Sequence, residues 1–176
     1  MKKNENGITL VALTITIIVL LILAGISINT GKTSIKKANL EGLKTNMLLI
    51  QTKAKEYVEN ANFDLGVDPN SATEEMKSKA KSELEGEDKG TLVTISDSVS
   101  DKLKNIGINQ SDIEAGNVYK LTTDNLEKMG IKNVDSDDEN GWYIIVYNIS
   151  ETTAEIYNTN GFNGKYSLKD IEKLEI

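Results

Sequence analysis

The sequence predicts an α+β protein, in which a long N-terminal helix packs on a small antiparallel β-sheet head. Three observations predict it. Ile8 to Ile28 is a run of 21 residues without a charged side chain. Behind it, Leu43, Met47, Ile50, Ala54, Tyr57 and Ala61 recur at spacings of three and four, with Lys44, Lys53, Lys55 and Glu56 between them, which is one apolar stripe on an amphipathic helix. Far downstream, Trp142 to Ile149 (WYIIVYNI) and Ala154 to Tyr157 are β-branched and aromatic runs joined by polar residues, the pattern of a hairpin. A helix followed by strands is the α+β order.

The elements follow in chain order. Residues 1–7, MKKNENG, hold three charged side chains and two Asn and end in Gly. At 1.5 Å per residue the run 8–28 reaches roughly 31 Å, close to the ~30 Å hydrocarbon core of a bilayer, and it reads as a membrane span. Its fate has three readings: a secretory signal cut at the small-x-small pattern Gly25-Ile26-Ser27, a permanent signal anchor, or a helix kept after a short leader is removed. The first fits least well, because a signal h-region has about 7–15 apolar residues. Lys2 and Lys3, offset by Glu5, face Lys32, Lys36 and Lys37 across the run, so flanking charge does not decide orientation. Thr9, Thr14 and Thr16 can return their hydroxyls to backbone carbonyls or bond to a packed helix. Gly25, Ser27, Asn29 and Gly31 are weak helix formers, and a bend is expected there.

The amphipathic stretch 29–62 continues the helix; unbroken from Ile8 to Ala61, it makes a rod roughly 80 Å long. Pro69, the only proline, reads as the turn that ends it. Ser71 to Leu84, alternating Glu and Lys, reads as a solvated helix stopped near Gly86. Leu92 to Ile95 reads as a strand, Val99 to Ile106 as a helix closed by Gly107, Val118 to Leu121 as a strand, and Thr123 to Met129 as a helix ended by Gly130. Asn158 to Gly164 is expected to be a loop, and Ser167 to Asp170 a capping box opening a last short helix. The organisation is therefore an N-terminal segment 1–7, an apolar span 8–28, an amphipathic helix 29–62 and a globular head 63–176.

Composition narrows the chemistry. All 20 basic residues are Lys, and His and Cys are absent. Zinc, haem, thiol and Ser-His chemistry lose their usual groups, Gly31-Lys32-Thr33 has Ile26 where a GxxxxGK[ST] phosphate loop needs its first Gly, and neither enzyme activity nor a cofactor is expected. Net charge is −7; without residues 1–7, 18 Lys face 26 carboxylates and the charge is −8, which argues against nucleic acid as a partner. Asp135, Asp137 and Glu139, with Asp138 and Asn140, supply oxygens in the style of a weak Ca²⁺ site. Asn140 stands where an EF-hand loop needs Gly, and Val146 where it needs Glu, so a solvated loop is the expectation and no metal is assigned. The pairs at Asn140, Asn160 and Asn163, each followed by Gly, read as tight turns. Tyr143, Tyr147, Tyr157 and Trp142 read as core or half-buried hairpin positions rather than an adhesive patch.

The stretch KKNENGITLVAL resembles the prepilin leader of type IV pilins and pseudopilins: a short charged leader ending in Gly, then an apolar helix. The resemblance implies cleavage after Gly7 by a prepilin peptidase and methylation of the new amino terminus on Ile8. It further implies that the retained helix, with Thr9, Leu10, Ala12, Thr14 and Thr16, packs against other pilin subunits in a filament. Membrane lipid would be the partner before assembly, with the chain single-pass in the cytoplasmic membrane and its head outside; after assembly it would stand in a cell-surface filament. The family usually carries Glu at the fifth mature residue, to neutralise a neighbour's terminal amine. Here that residue is Ala12, and Glu5 lies in the leader. A minor or divergent subunit is thus implied, of a pilus, a type II secretion pseudopilus or a DNA-uptake filament. The Ile-, Asn- and Lys-rich usage fits a low-GC Gram-positive bacterium. The alternative is an unprocessed single-span surface protein that binds a ligand through its C-terminal domain.

Overall fold

The structure is a computed structural model describing residues 5–96 and 100–175, with side chains described for residues 13, 15–21, 32–96 and 101–175. It is mixed helix and antiparallel sheet. The helices are α1 (Glu5–Leu65), α2 (Glu74–Ser82), α3 (Ser100–Asn105), α4 (Gln110–Glu114), α5 (Thr123–Lys128) and α6 (Leu168–Ile171). The strands are β1 (Thr91–Leu92), β2 (Val118–Leu121), β3 (Tyr143–Asn148), β4 (Thr153–Phe162) and β5 (Lys165–Ser167). The chain divides into two compact units, one up to Glu41 and one from Gly42 to Glu175.

In the second unit the strands pair in sequence order, β1-β2-β3-β4-β5, all antiparallel. The part of α1 belonging to this unit buries Met47, Ile50, Ala54, Val58, Ala61 and Leu65, a stripe at spacings of three and four. The expected stripe is corrected at two places. Tyr57 is only half-buried while Val58 beside it is fully buried, and Leu43 is half-buried at the start. Polar bonds then hold the helix to the sheet. Asn46 donates to the Tyr143 hydroxyl on β3 (3.4 Å), Gln51 to the Ala154 carbonyl on β4 (3.1 Å), and Asn62 to Ile149 O and Thr152 Oγ1 in the turn between these strands (3.0 and 2.8 Å).

The other face of the sheet is covered as well. Val118, Ile144, Val146 and Tyr157 form one cluster with Val93, Leu103, Ile108 and Ile113, the last three on or beside α3 and α4. That double cover is why β3 is buried at five successive positions, Tyr143 to Tyr147, instead of alternating.

Element ends differ from expectation for local reasons. α1 stops at Leu65 because Gly66 takes a positive φ of 65°; Pro69 sits in the following turn, where Ser71 N–H donates to Asp68 O (2.8 Å). α2 is not wholly solvated: Ala80 is buried, with Ala72 and Leu84 on either side of the helix. β1 lies at Thr91–Leu92, earlier than the expected run to Ile95. Asn158 to Gly164, expected to be a loop, mostly continues β4 through a bulge and turns into β5. The side-chain Oδ1 of Asn158 accepts from Asn160 N–H (3.0 Å) and Gly161 N–H (2.8 Å), and Gly161 at φ 58° lies so close to Lys165 O that no Cβ fits. Asn163 and Gly164, at φ 48° and 72°, make the two-residue turn between β4 and β5. At the end of the chain, the Ser167 hydroxyl caps α6 by accepting from Asp170 N–H (3.3 Å).

Candidate functional site

Gly7 and Ile8 lie in the first turn of α1. The side chains of Ile8, Thr9, Leu10, Ala12 and Thr14, named with Gly7 for processing and polymerisation, lie outside the described residues; Thr16 is described and exposed. Leu13, Ile15, Ile17, Ile18, Val19, Leu20 and Leu21 are each between 47% and 68% exposed. Ile17 to Leu21 are five consecutive positions, which at 100° per residue circle the whole helix. No face of 17–21 is therefore buried among the described residues. Among the described residues, no helix is long and apolar enough to cross a membrane; within 8–28 the described side chains are those of 13 and 15–21 alone.

The acidic loop before β3 spends its oxygens on the protein. Asp137 Oδ1 accepts from Asn140 N–H (2.7 Å) and Glu139 N–H (2.9 Å), and the Asn140 amide donates to both carboxylate oxygens at 3.1 Å. The Asn140 backbone bond first, then its side-chain bond, hold the Asp137 carboxyl below the usual range. The stability this contributes is present above the ordinary carboxylate pKa and is lost as pH falls through the lowered one. Among the described residues no group of three or more candidate ligands gathers into a metal site, so Asp135, Asp137 and Glu139 do not converge.

The same loop also holds Trp142. Its backbone N–H donates to Thr159 Oγ1 (2.8 Å), its indole Nε1–H donates to Asp138 Oδ1 (3.0 Å), and the Lys120 ammonium stands 4.3 Å from the ring centroid. Trp142 is half-buried against the core cluster. It forms one wall of an open cleft of about 570 Å³, together with Lys102 and Asn105 from α3 and Asn160 and Tyr166 from the β4–β5 end. Tyr143, Tyr147 and Tyr157 are buried, so they belong to the core and not to this surface.

No family model, curated protein or solved structure matches the chain.

Lys120 lies 22 residues from Trp142, too far for a local sequence pattern to link them. The β2–β3 register sets Lys120 opposite Ile144, two residues beyond Trp142 on the same face, and this brings them together. The Asp138–Trp142 pair, four residues apart, was the local signal for it.

Proposed function

We propose that the chain is a structural subunit of a cell-surface filament or secretion pseudopilus, a minor or divergent member of the type IV pilin and pseudopilin kind. In this reading it is cut after Gly7 by a prepilin peptidase, methylated on Ile8, held in the cytoplasmic membrane by residues 8–28 until assembly, and displays residues 42–175 outside. The observation that carries the reading is the helical segment Ile17 to Leu21, apolar and exposed at five successive positions and so on all sides. Such a surface needs lipid or other apolar helices around it. The 21-residue uncharged run and its boundary at Gly7-Ile8 support it. A role without catalysis agrees with a chain that has neither His nor Cys.

Ala12 bears on the manner of assembly. Without a carboxylate there, an incoming terminal amine has no partner from this position, and an unpaired charge among apolar helices is costly. A subunit placed at few positions in a filament tolerates that better than one repeated throughout.

The test is processing in the chain's own cells. Gly7→Val is expected to leave all of the protein at precursor length and absent from sheared surface filaments, while the unaltered chain runs seven residues shorter. Equal lengths for the two proteins would refute the reading.

A further inference from the structure

The Trp142 cleft sets one exposed and one half-buried cation and an exposed amide beside a core-anchored aromatic ring. Two of its cations, Lys102 and Lys120, have no ion-pair partner among the described residues, although the chain carries a net charge of −7 and other lysines do pair. Lys104 pairs with Asp101 (3.6 Å) and Lys128 with Asp124 and Glu87 (both 2.7 Å). The Asn105 amide likewise has no hydrogen-bond partner among the described residues, and it lines the same cleft. The larger cleft, of about 720 Å³ between α1, β4 and α6, is different. It carries four carboxylates against three lysines and no tryptophan, and part of its polar lining is already engaged: Lys173 pairs with Asp170 (3.4 Å), Ser167 with Asp170 (3.0 Å), and Tyr157 with Glu155 (2.9 Å).

The Trp142 ring is held firmly. Its edge is fixed by Asp138 and Thr159, and it packs on the core beside Ile106. The Lys120 ammonium stands over the ring, 4.3 Å from its centroid, in a cleft that Ile106 and the Asp138 carboxylate also line. An anion entering the cleft can draw that ammonium off the ring, exchanging a cation–π contact for a charge-assisted hydrogen bond and freeing the aromatic face for stacking.

We propose that this cleft binds a small saccharide carrying one carboxylate or phosphate, with a sugar ring on Trp142, its anionic group between Lys102 and Lys120, and its hydroxyls on the Asn105 and Asn160 amides. The volume lies within the range of small-molecule sites. A long polyanion is disfavoured, because the rest of the surface is acidic and a single aromatic residue offers one stacking step and no track. All of these residues lie in the unit 42–175, so the inference stands whether or not the N-terminal helix is processed.

Trp142 is the only tryptophan, so its fluorescence reports on this cleft alone. The full-length chain in detergent micelles is titrated at low ionic strength with a glucuronic-acid disaccharide, glucose 6-phosphate, neutral maltose and a short oligo-dT. A saturating change is expected with the uronate, the sugar phosphate or both, the stronger of the two identifying the anionic group. Lys102→Gln and Lys120→Gln are each expected to weaken binding about fivefold with the melting temperature unchanged, while Lys104→Gln leaves it as it was. The proposal is overturned by no saturating change with either acidic sugar, by an equal response to maltose, by tighter binding of oligo-dT, or by an equal loss in Lys104→Gln.

Discussion

Ile50→Ala is expected to destabilise the unit 42–175 by about 2–5 kcal/mol, the range for removing a buried Ile side chain without collapse of the site. Ile50 is fully buried in the middle of the α1 stripe, with Met47 and Ala54 one turn to either side. The Gln51 bond to Ala154 O holds the helix at its distance from β4, so the surroundings have little freedom to close the gap. Denaturant unfolding followed by Trp142 fluorescence measures it. The neighbouring Leu49, 49% exposed, is the internal control, and Leu49→Ala is expected to stay within about 0.5 kcal/mol. Equal losses for the two would mean that α1 does not present the 47-50-54-58 face to the sheet.

Ser136→Ala is expected to have the next largest effect, for a different reason. Ser136 is almost wholly buried, and its hydroxyl bridges two strands: it donates to Leu121 O on β2 (2.7 Å) and accepts from Tyr143 N–H on β3 (2.9 Å). Removing it orphans a buried carbonyl and a buried N–H at the end of the β2–β3 ladder, each costing about 1–3 kcal/mol. The loss is read as a lowered unfolding midpoint with an unchanged denaturant slope. Ser150→Ala, in the exposed turn between β3 and β4, is expected to leave the midpoint where it was. A midpoint for Ser136→Ala equal to that of the parent chain would mean the hydroxyl bridge carries no stability.

What the sequence disclosed depended on how local the cause was. β2 was legible to its ends, and α5 was legible because Thr122 and Asn125 form a reciprocal cap within four residues: Thr122 N–H and Oγ1–H donate to Asn125 Oδ1, and Asn125 N–H donates to Thr122 Oγ1. α4 was missed; it is one short turn, led by Asn109 without a side-chain cap bond. The Asn and Gly residues of the β4–β5 hairpin look like loop punctuation, whereas Asn158 uses its side chain to hold a bulge within the strand. An aromatic residue suggests core at Tyr57, yet Val58 beside it is the one fully buried. Tyr57 instead stands half-buried beside Asp88 and under Lys89, and burial first, then the nearby Asp88 charge, raises its hydroxyl pKa.

The candidate sites divide the same way. The boundary at Gly7-Ile8 is a change from charged to apolar residues within two positions, visible without a fold. The Trp142 cleft is assembled from α3, β2, the acidic loop and the β4–β5 end, and the placement of Lys120 depends on strand register. Reading it needed the three-dimensional pairing.

The most direct measurement is the intact mass and N-terminal sequence of the protein isolated from its own cells. The expected result is a chain beginning at Ile8 and carrying one methyl group on its terminal amine. A chain that retains Met1, or one that begins at Ile28, would contradict the filament-subunit reading.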